Sequence, residues 1–81
     1  MKELEELEAI VALEEEDWEA SRLAEVFIDM VKSYESGELT EVEFVELVGD
    51  MRQTELMYDE YEMTIVRQRL VKVAETLAKF A

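Results

Sequence analysis

Ser36, Gly37, Glu38, Thr40 and Glu43 are the residues whose types and spacing come nearest to a ligand site. A calcium loop sets oxygen donors at alternate positions around a glycine turn and closes on a glutamate that offers both carboxylate oxygens. The glycine, the apolar Leu39 and the closing Glu43 before Phe44 follow that pattern. The first half of the segment does not. Lys32 stands where the first aspartate ligand belongs, and Tyr34 stands at the second ligand position. An ammonium group in the cage repels the cation, so the expectation is a helix–loop–helix turn without a metal.

Other chemistry has less to draw on. The run Glu14-Glu15-Glu16-Asp17 is acidic, but consecutive helical residues point in different directions and form no cage. A di-iron bundle needs histidine, and the chain has neither histidine nor cysteine. Ser21, Ser33, Ser36, Thr40, Thr54, Thr64 and Thr76 have no evident base beside them. With 22 carboxylates, no single pair is diagnostic of acid–base catalysis. No glycine-rich loop is present to cradle a phosphate. The chain reads as a non-enzyme with no cofactor.

The elements that would position these residues are all helical. Glu, Leu, Ala, Lys, Arg and Met dominate, and proline is absent. The clearest boundary is at residues 36–40. Gly37 suits the left-handed position past a helix end. Thr40 and Glu43 form the two halves of a capping box, with Leu39 and Phe44 as a hydrophobic staple. Gly37, Thr40 and Glu43 are therefore read as structural caps.

The first region, about residues 2–36, has two apolar registers. Leu4, Leu7 and Val11 make one; Ile10, Leu13, Ala20, Ala24, Phe27, Val31 and Tyr34 make the other. Two arrangements fit. One is a single helix of about 50 Å at 1.5 Å per residue, bent near residue 16; the other starts a new helix at Trp18 on an Asp17 cap. The absence of glycine or proline favours the long helix. A short second helix, about 41–53, should bury Phe44, Leu47, Val48 and Met51, with Gly49 marking close approach of a neighbour. A third, about 56–80, has the cleanest spacing: Met63, Val66, Leu70, Val73, Leu77 and Phe80, flanked by Val71, Ala74, Ala78 and Ala81. An unbroken helix from 41 to 80 could bury its face only by oligomerising. A turn is therefore expected within 52–60, on Thr54 or Asp59. The expected fold is one all-α domain, residues 1–81. It is an antiparallel three-helix bundle with a long first, short second and long third helix, prone to self-association.

Charge narrows the function. The 81 residues carry a net −14, yet 49% are apolar, too many for a disordered acidic tail. Such a surface excludes direct nucleic-acid binding and is repelled by anionic membranes. No apolar run approaches the roughly 20 residues of a membrane span, and the acidic start lacks a signal-peptide pattern. A cytoplasmic or virion-associated location follows as the expectation. Residues 1–62 hold 21 acids and 4 bases, or −17; residues 63–81 hold one acid and 4 bases, or +3. An acidic first helix should therefore favour a basic last helix, within or between chains.

Trp18, Met57, Tyr58 and Tyr61 stand off the clearest core stripes, and Trp, Tyr and Met are enriched in interface cores. With Phe27 and Val31 they are the candidate contacts for a protein partner or a second copy. The alternative is burial under a neighbouring helix.

The stretch Val31 to Thr54 carries Tyr34, Ser36-Gly37-Glu38-Leu39-Thr40, Glu43-Phe44, Leu47-Val48, Asp50 and Arg52-Gln53-Thr54. Within it, Ser36 to Phe44 resembles the second half of an EF-hand loop. With the apolar C-terminal helix, over about residues 31–81, the stretch resembles small acidic helical bacteriophage proteins. The resemblance implies an accessory or virion-associated protein and carries over no catalytic residue. Two functions follow as expectations. The first is a phage-type structural, assembly or accessory factor acting through helix–helix contacts. The second is an acidic mimic of nucleic acid that blocks a basic DNA- or RNA-binding protein. Duplex DNA carries about one charge per 1.7 Å of axis. Residues 1–19, with nine acids and Lys2, fall short of that density over roughly 28 Å of helix.

Overall fold

The computed structural model describes residues 2–53 and 64–79, which hold four helices and no strand. They are α1 (Lys2–Val11), α2 (Trp18–Glu35), α3 (Glu41–Met51) and α4 (Ile65–Leu77). The fold is all-α, but the expected long first helix is two helices. The chain leaves α1 in a turn closed by Leu13 N–H to the Ile10 carbonyl at 3.0 Å and Asp17 N–H to the Leu13 carbonyl at 3.1 Å. Asp17 is extended, with φ −156° and ψ 93°, and its carboxylate accepts from the Ala20 amide. The Ser21 hydroxyl donates to the Val11 carbonyl at 2.9 Å, satisfying an acceptor left open where α1 stops. The Asp17 carboxylate and the Ser21 hydroxyl thus take up backbone groups left open where the helical ladder is interrupted between α1 and α2. The change of apolar register marks a reversal of the chain, with Leu7 and Ile10 of α1 facing the same core as Ala20, Ala24, Phe27 and Val31 of α2.

The turn between α2 and α3 is built as its residue types dictate. Gly37, at φ +86°, donates to the Tyr34 carbonyl, and the Glu38 amide donates to the Ser33 carbonyl at 2.9 Å. That bonding pattern is a Schellman motif. Thr40 then caps α3 with both halves of the box in place: Glu43 N–H to Thr40 Oγ1 at 3.1 Å, and Thr40 N–H to Glu43 Oε1 at 3.0 Å. Tyr34 stacks on Phe44 across the turn, centroids 4.7 Å apart.

Helices α2 and α4 each pack on all the others, whereas α1 and α3 do not meet. The principal extents are 34 × 23 × 16 Å. The shortest matches two helix layers, an interaxial distance of about 8–10 Å plus a Cα radius of about 2.3 Å on each side. Phe44 and Val48 of α3 join Val66, Leu70, Val73, Ala74 and Leu77 of α4 to complete the core. Leu47 is 41% exposed and stands outside it: one residue, or about 100°, from Val48, it falls at the edge of the buried face. Gly49 marks no close approach, since no described atom lies within 4 Å of where its Cβ would be. The first part of the expected third helix, and its joint at Thr54 or Asp59, lie outside the described residues, as do Met63, Phe80 and Ala81.

Candidate interaction surface

The most elaborate polar site joins the starts of α2 and α4. Asp17 caps α2 and Thr64 caps α4, and the two caps are bonded to each other: the Thr64 hydroxyl donates to Asp17 Oδ2 at 2.6 Å. The Arg67 amide donates to Thr64 Oγ1 at 3.0 Å, and its guanidinium Nη2 reaches Asp17 Oδ1 at 3.0 Å and Glu19 at 3.4 Å. The side chains of Asp17 and Arg67 are 6% and 12% exposed. Burial pushes the Asp17 carboxyl up. The Thr64 hydroxyl, the Ala20 amide and Arg67 together outweigh it and hold the pKa below the ordinary aspartate value. Arg67 Nε is buried without an acceptor. Apart from that nitrogen, the Asp17 carboxylate, the Thr64 hydroxyl and Arg67 Nη2 are engaged by groups of the same chain. The work of the site is to hold two helix starts together.

Each cap is followed by an exposed apolar residue. Trp18, the first residue of α2, is 55% exposed, with the Arg22 guanidinium 5.1 Å from its ring centroid. Ile65, the first residue of α4, is 78% exposed. Because Asp17 and Thr64 touch, Trp18 and Ile65 stand at the same end of the molecule. The cation–π contact contributes about 0.5–1 kcal/mol at such an exposed position and restrains the indole at the surface.

Two charged faces complete the surface. Arg69 and Lys72 of α4 are exposed and fall on one side of the helix with Ile65 and Thr76, and Lys79, in the turn after the C-cap Ala78, is exposed as well. None of the three bases makes an ion pair among the described residues. The one acid of α4, Glu75, bonds Arg52 at 3.2 Å and ties the end of α3 to α4. Between α1 and α2 lies a groove lined by half-buried Val11 and Ile28 and by exposed Glu8, Glu25 and Asp29.

The sequence-derived contact residues separate on this structure. Trp18 is at the surface. Phe27 and Val31 are fully buried in the chain's own core, because the face of α2 that carries them packs against the other helices, so they are not available for docking. Met57, Tyr58 and Tyr61 lie outside the described residues. Gly37, Thr40 and Glu43 sit in the α2–α3 turn as caps. Glu43's carboxylate is engaged by the Thr40 amide and hydroxyl, which lower its pKa. Among the described residues no group of acids is arranged to hold a metal ion. Also among them, no helix is long and apolar enough to cross a membrane. Sequence reasoning passed over Ile65, whose only signal was its place off the apolar stripe directly after Thr64. No protein-family model, curated protein or solved structure matches the chain.

Proposed function

We propose that this chain is a small acidic interaction protein and not an enzyme, a structural, assembly or accessory factor of the phage type that binds itself or a larger partner through helix contacts. The observation that carries the reading is the pair of exposed apolar residues, Trp18 and Ile65, at one end of the molecule. Single exposed apolar side chains are ordinary. Here a tryptophan and an isoleucine occupy equivalent positions on two helices whose caps are bonded together, so both are presented on a rigid base. Tryptophan is the residue type most enriched among interface hot spots, and pre-ordering lowers the cost of binding.

The test is affinity capture from the host, comparing the wild type with a Trp18→Ala, Ile65→Ser variant of unchanged helicity. Both side chains are exposed, so the fold is expected to survive. Loss of the captured protein in the variant alone supports the reading, and identical capture overturns it.

A second reading, the acidic mimic, has its own observation: Glu14, Glu15 and Glu16 are all exposed in the α1–α2 turn. The basic outer face of α4 weighs against it. The two readings part on salt. At about 1 M salt the Debye length is about 3 Å, so a complex held by those carboxylates dissociates, and replacing all three with glutamine weakens it as well. An apolar contact at Trp18 survives both changes, which is the outcome expected here.

A further inference from the structure

We propose that the exposed basic face of α4 docks in the acidic groove between α1 and α2 of a second copy of this chain, giving head-to-tail self-association. The donor surface is Arg69 and Lys72 of α4 with Lys79 just beyond the helix end, all exposed and without an ion pair among the described residues. Two such cations on one helix face, with a third just past its end, are unexpected in a chain with 22 acids and 8 bases. The receiving groove has a volume of about 310 Å3 and is lined by half-buried Val11 and Ile28 and by exposed Glu8, Glu25 and Asp29. That combination suits lysine and arginine specifically: their methylene stems lie on apolar surface while their charged heads reach the exposed carboxylates.

The spacing agrees as well. Arg69 and Lys72 are about 4.5 Å apart along their helix axis, and Glu25 and Asp29 about 6 Å along theirs, at about 1.5 Å per residue. Neither surface is satisfied within its own chain. Arg69 and Lys72 border a different groove, beside Glu6, Ile10 and Val73. Glu8 and Asp29 make no ion pair among the described residues, and Glu25 has only an exposed contact to Arg22 at 3.7 Å. Both complementary surfaces belong to the same chain, which selects a second copy as the occupant. The net −14 of each copy opposes the encounter at low salt, but at physiological ionic strength the Debye length is about 8 Å and charges farther apart are largely screened. Because donor and acceptor surfaces differ, the contact is heterologous and leads to rings or open chains, not a closed two-fold dimer. The inference rests on the reading of the chain as an interaction protein but uses different residues, so the two can fail separately.

The experiment is sedimentation velocity at physiological ionic strength over a concentration series. It uses the wild type, an Arg69→Glu, Lys72→Glu variant and a Glu25→Lys, Asp29→Lys variant. All four positions are exposed. Retained helicity is checked by circular dichroism, with glutamine and asparagine replacements at the same positions used if a reversal unfolds the chain. The wild type is expected to rise above the mass of one chain with concentration. Each variant alone should associate at least about tenfold more weakly. Mixing the two reversed variants should restore association, because each again meets a face of opposite charge. A wild type that stays a single chain throughout overturns the proposal. So do variants that associate like the wild type, or a mixture of reversed variants that fails to recover. Charge-reversed variants that lose self-association yet still capture another protein through Trp18 would leave the broader reading standing; intact self-association without Trp18-dependent capture would do the reverse.

Discussion

Asp17→Ala removes the residue on which the starts of α2 and α4 converge. Loss of the cap on α2 costs about 1 kcal/mol. The larger effect is on Arg67, whose side chain is only 12% exposed and would be left charged without its main partner. Breaking a buried pair from one side costs about 3–5 kcal/mol. The contact from Arg67 to exposed Glu19 at 3.4 Å survives and offsets part of this, so a total of about 3–4 kcal/mol is expected. A chain of 81 residues has roughly 4–12 kcal/mol of stability at 0.05–0.15 kcal/mol per residue, so the loss is a large fraction of the whole. In melting temperature it amounts to a fall of about 12–30 °C. Urea and thermal unfolding followed by far-UV circular dichroism measure both quantities. Arg67→Met, which keeps an apolar stem, supplies the second arm of a double-mutant cycle. The double variant should be more stable than Asp17→Ala alone, because the stranded charge is gone. Acid provides a third check. The Asp17 pKa is depressed in the folded chain, so its contribution is fully present above the unfolded value and is lost as pH falls through the lower folded value. The stability gap between wild type and variant should therefore close below about pH 4. A loss under about 1 kcal/mol, or additivity within about 0.5 kcal/mol in the cycle, would refute the account of the node as a buried, coupled unit.

Leu70→Asp should abolish cooperative unfolding, because Leu70 is fully buried mid-helix in α4 and an unpaired buried carboxylate costs several kcal/mol; a variant that keeps the wild-type melting temperature would place that face elsewhere. The two glycines should respond to alanine with opposite signs. Gly37→Ala should lose about 1–2 kcal/mol, since φ is +86°, while Gly49→Ala should gain about 0.5–1 kcal/mol, since it sits in a helix with open space around it. Urea midpoints decide both. Calcium should leave the protein unchanged: Glu43's carboxylate serves the cap on α3 and Lys32 stands at the first-ligand position. Titration calorimetry showing a one-to-one micromolar site would overturn that.

What could be read in advance was what depends on neighbours in sequence. The turn at residues 36–40 was legible because Gly37, Thr40 and Glu43 act within a few residues of one another. The buried stripe of α4 was legible because Val66, Leu70, Val73 and Leu77 repeat at helical spacing over its length. The break at residues 12–17 was legible only as the less favoured of two arrangements, a new helix at Trp18 on an Asp17 cap, because what tips the choice is Thr64 and Arg67, 47 and 50 residues away. Local propensity across Glu14-Glu15-Glu16 favoured continuing, and tertiary contacts overrode it. The surface followed the same rule. Phe27 and Val31 were set beside Trp18 as contacts, but which stripe of α2 meets the other helices depends on where α1 and α4 lie. The charge asymmetry was visible as a count, whereas its concentration on the outer face of α4 required the helix's orientation.

The bond from Arg67 back to Asp17 also sets an order of events during synthesis. Residues leave a ribosome at about 5–20 per second, so Asp17 waits roughly 3–10 s for the arginine that pairs with it. Over that interval the nascent segment holds Leu7, Ile10, Phe27 and Val31 without Leu70, Val73 and Leu77 to cover them. Closing a 50-residue loop costs about 3.5 kcal/mol beyond a constant, an entropic toll met only when α4 docks. Until α4 is made, the buried faces of α1, α2 and α3 lack the side chains that cover them in the folded chain.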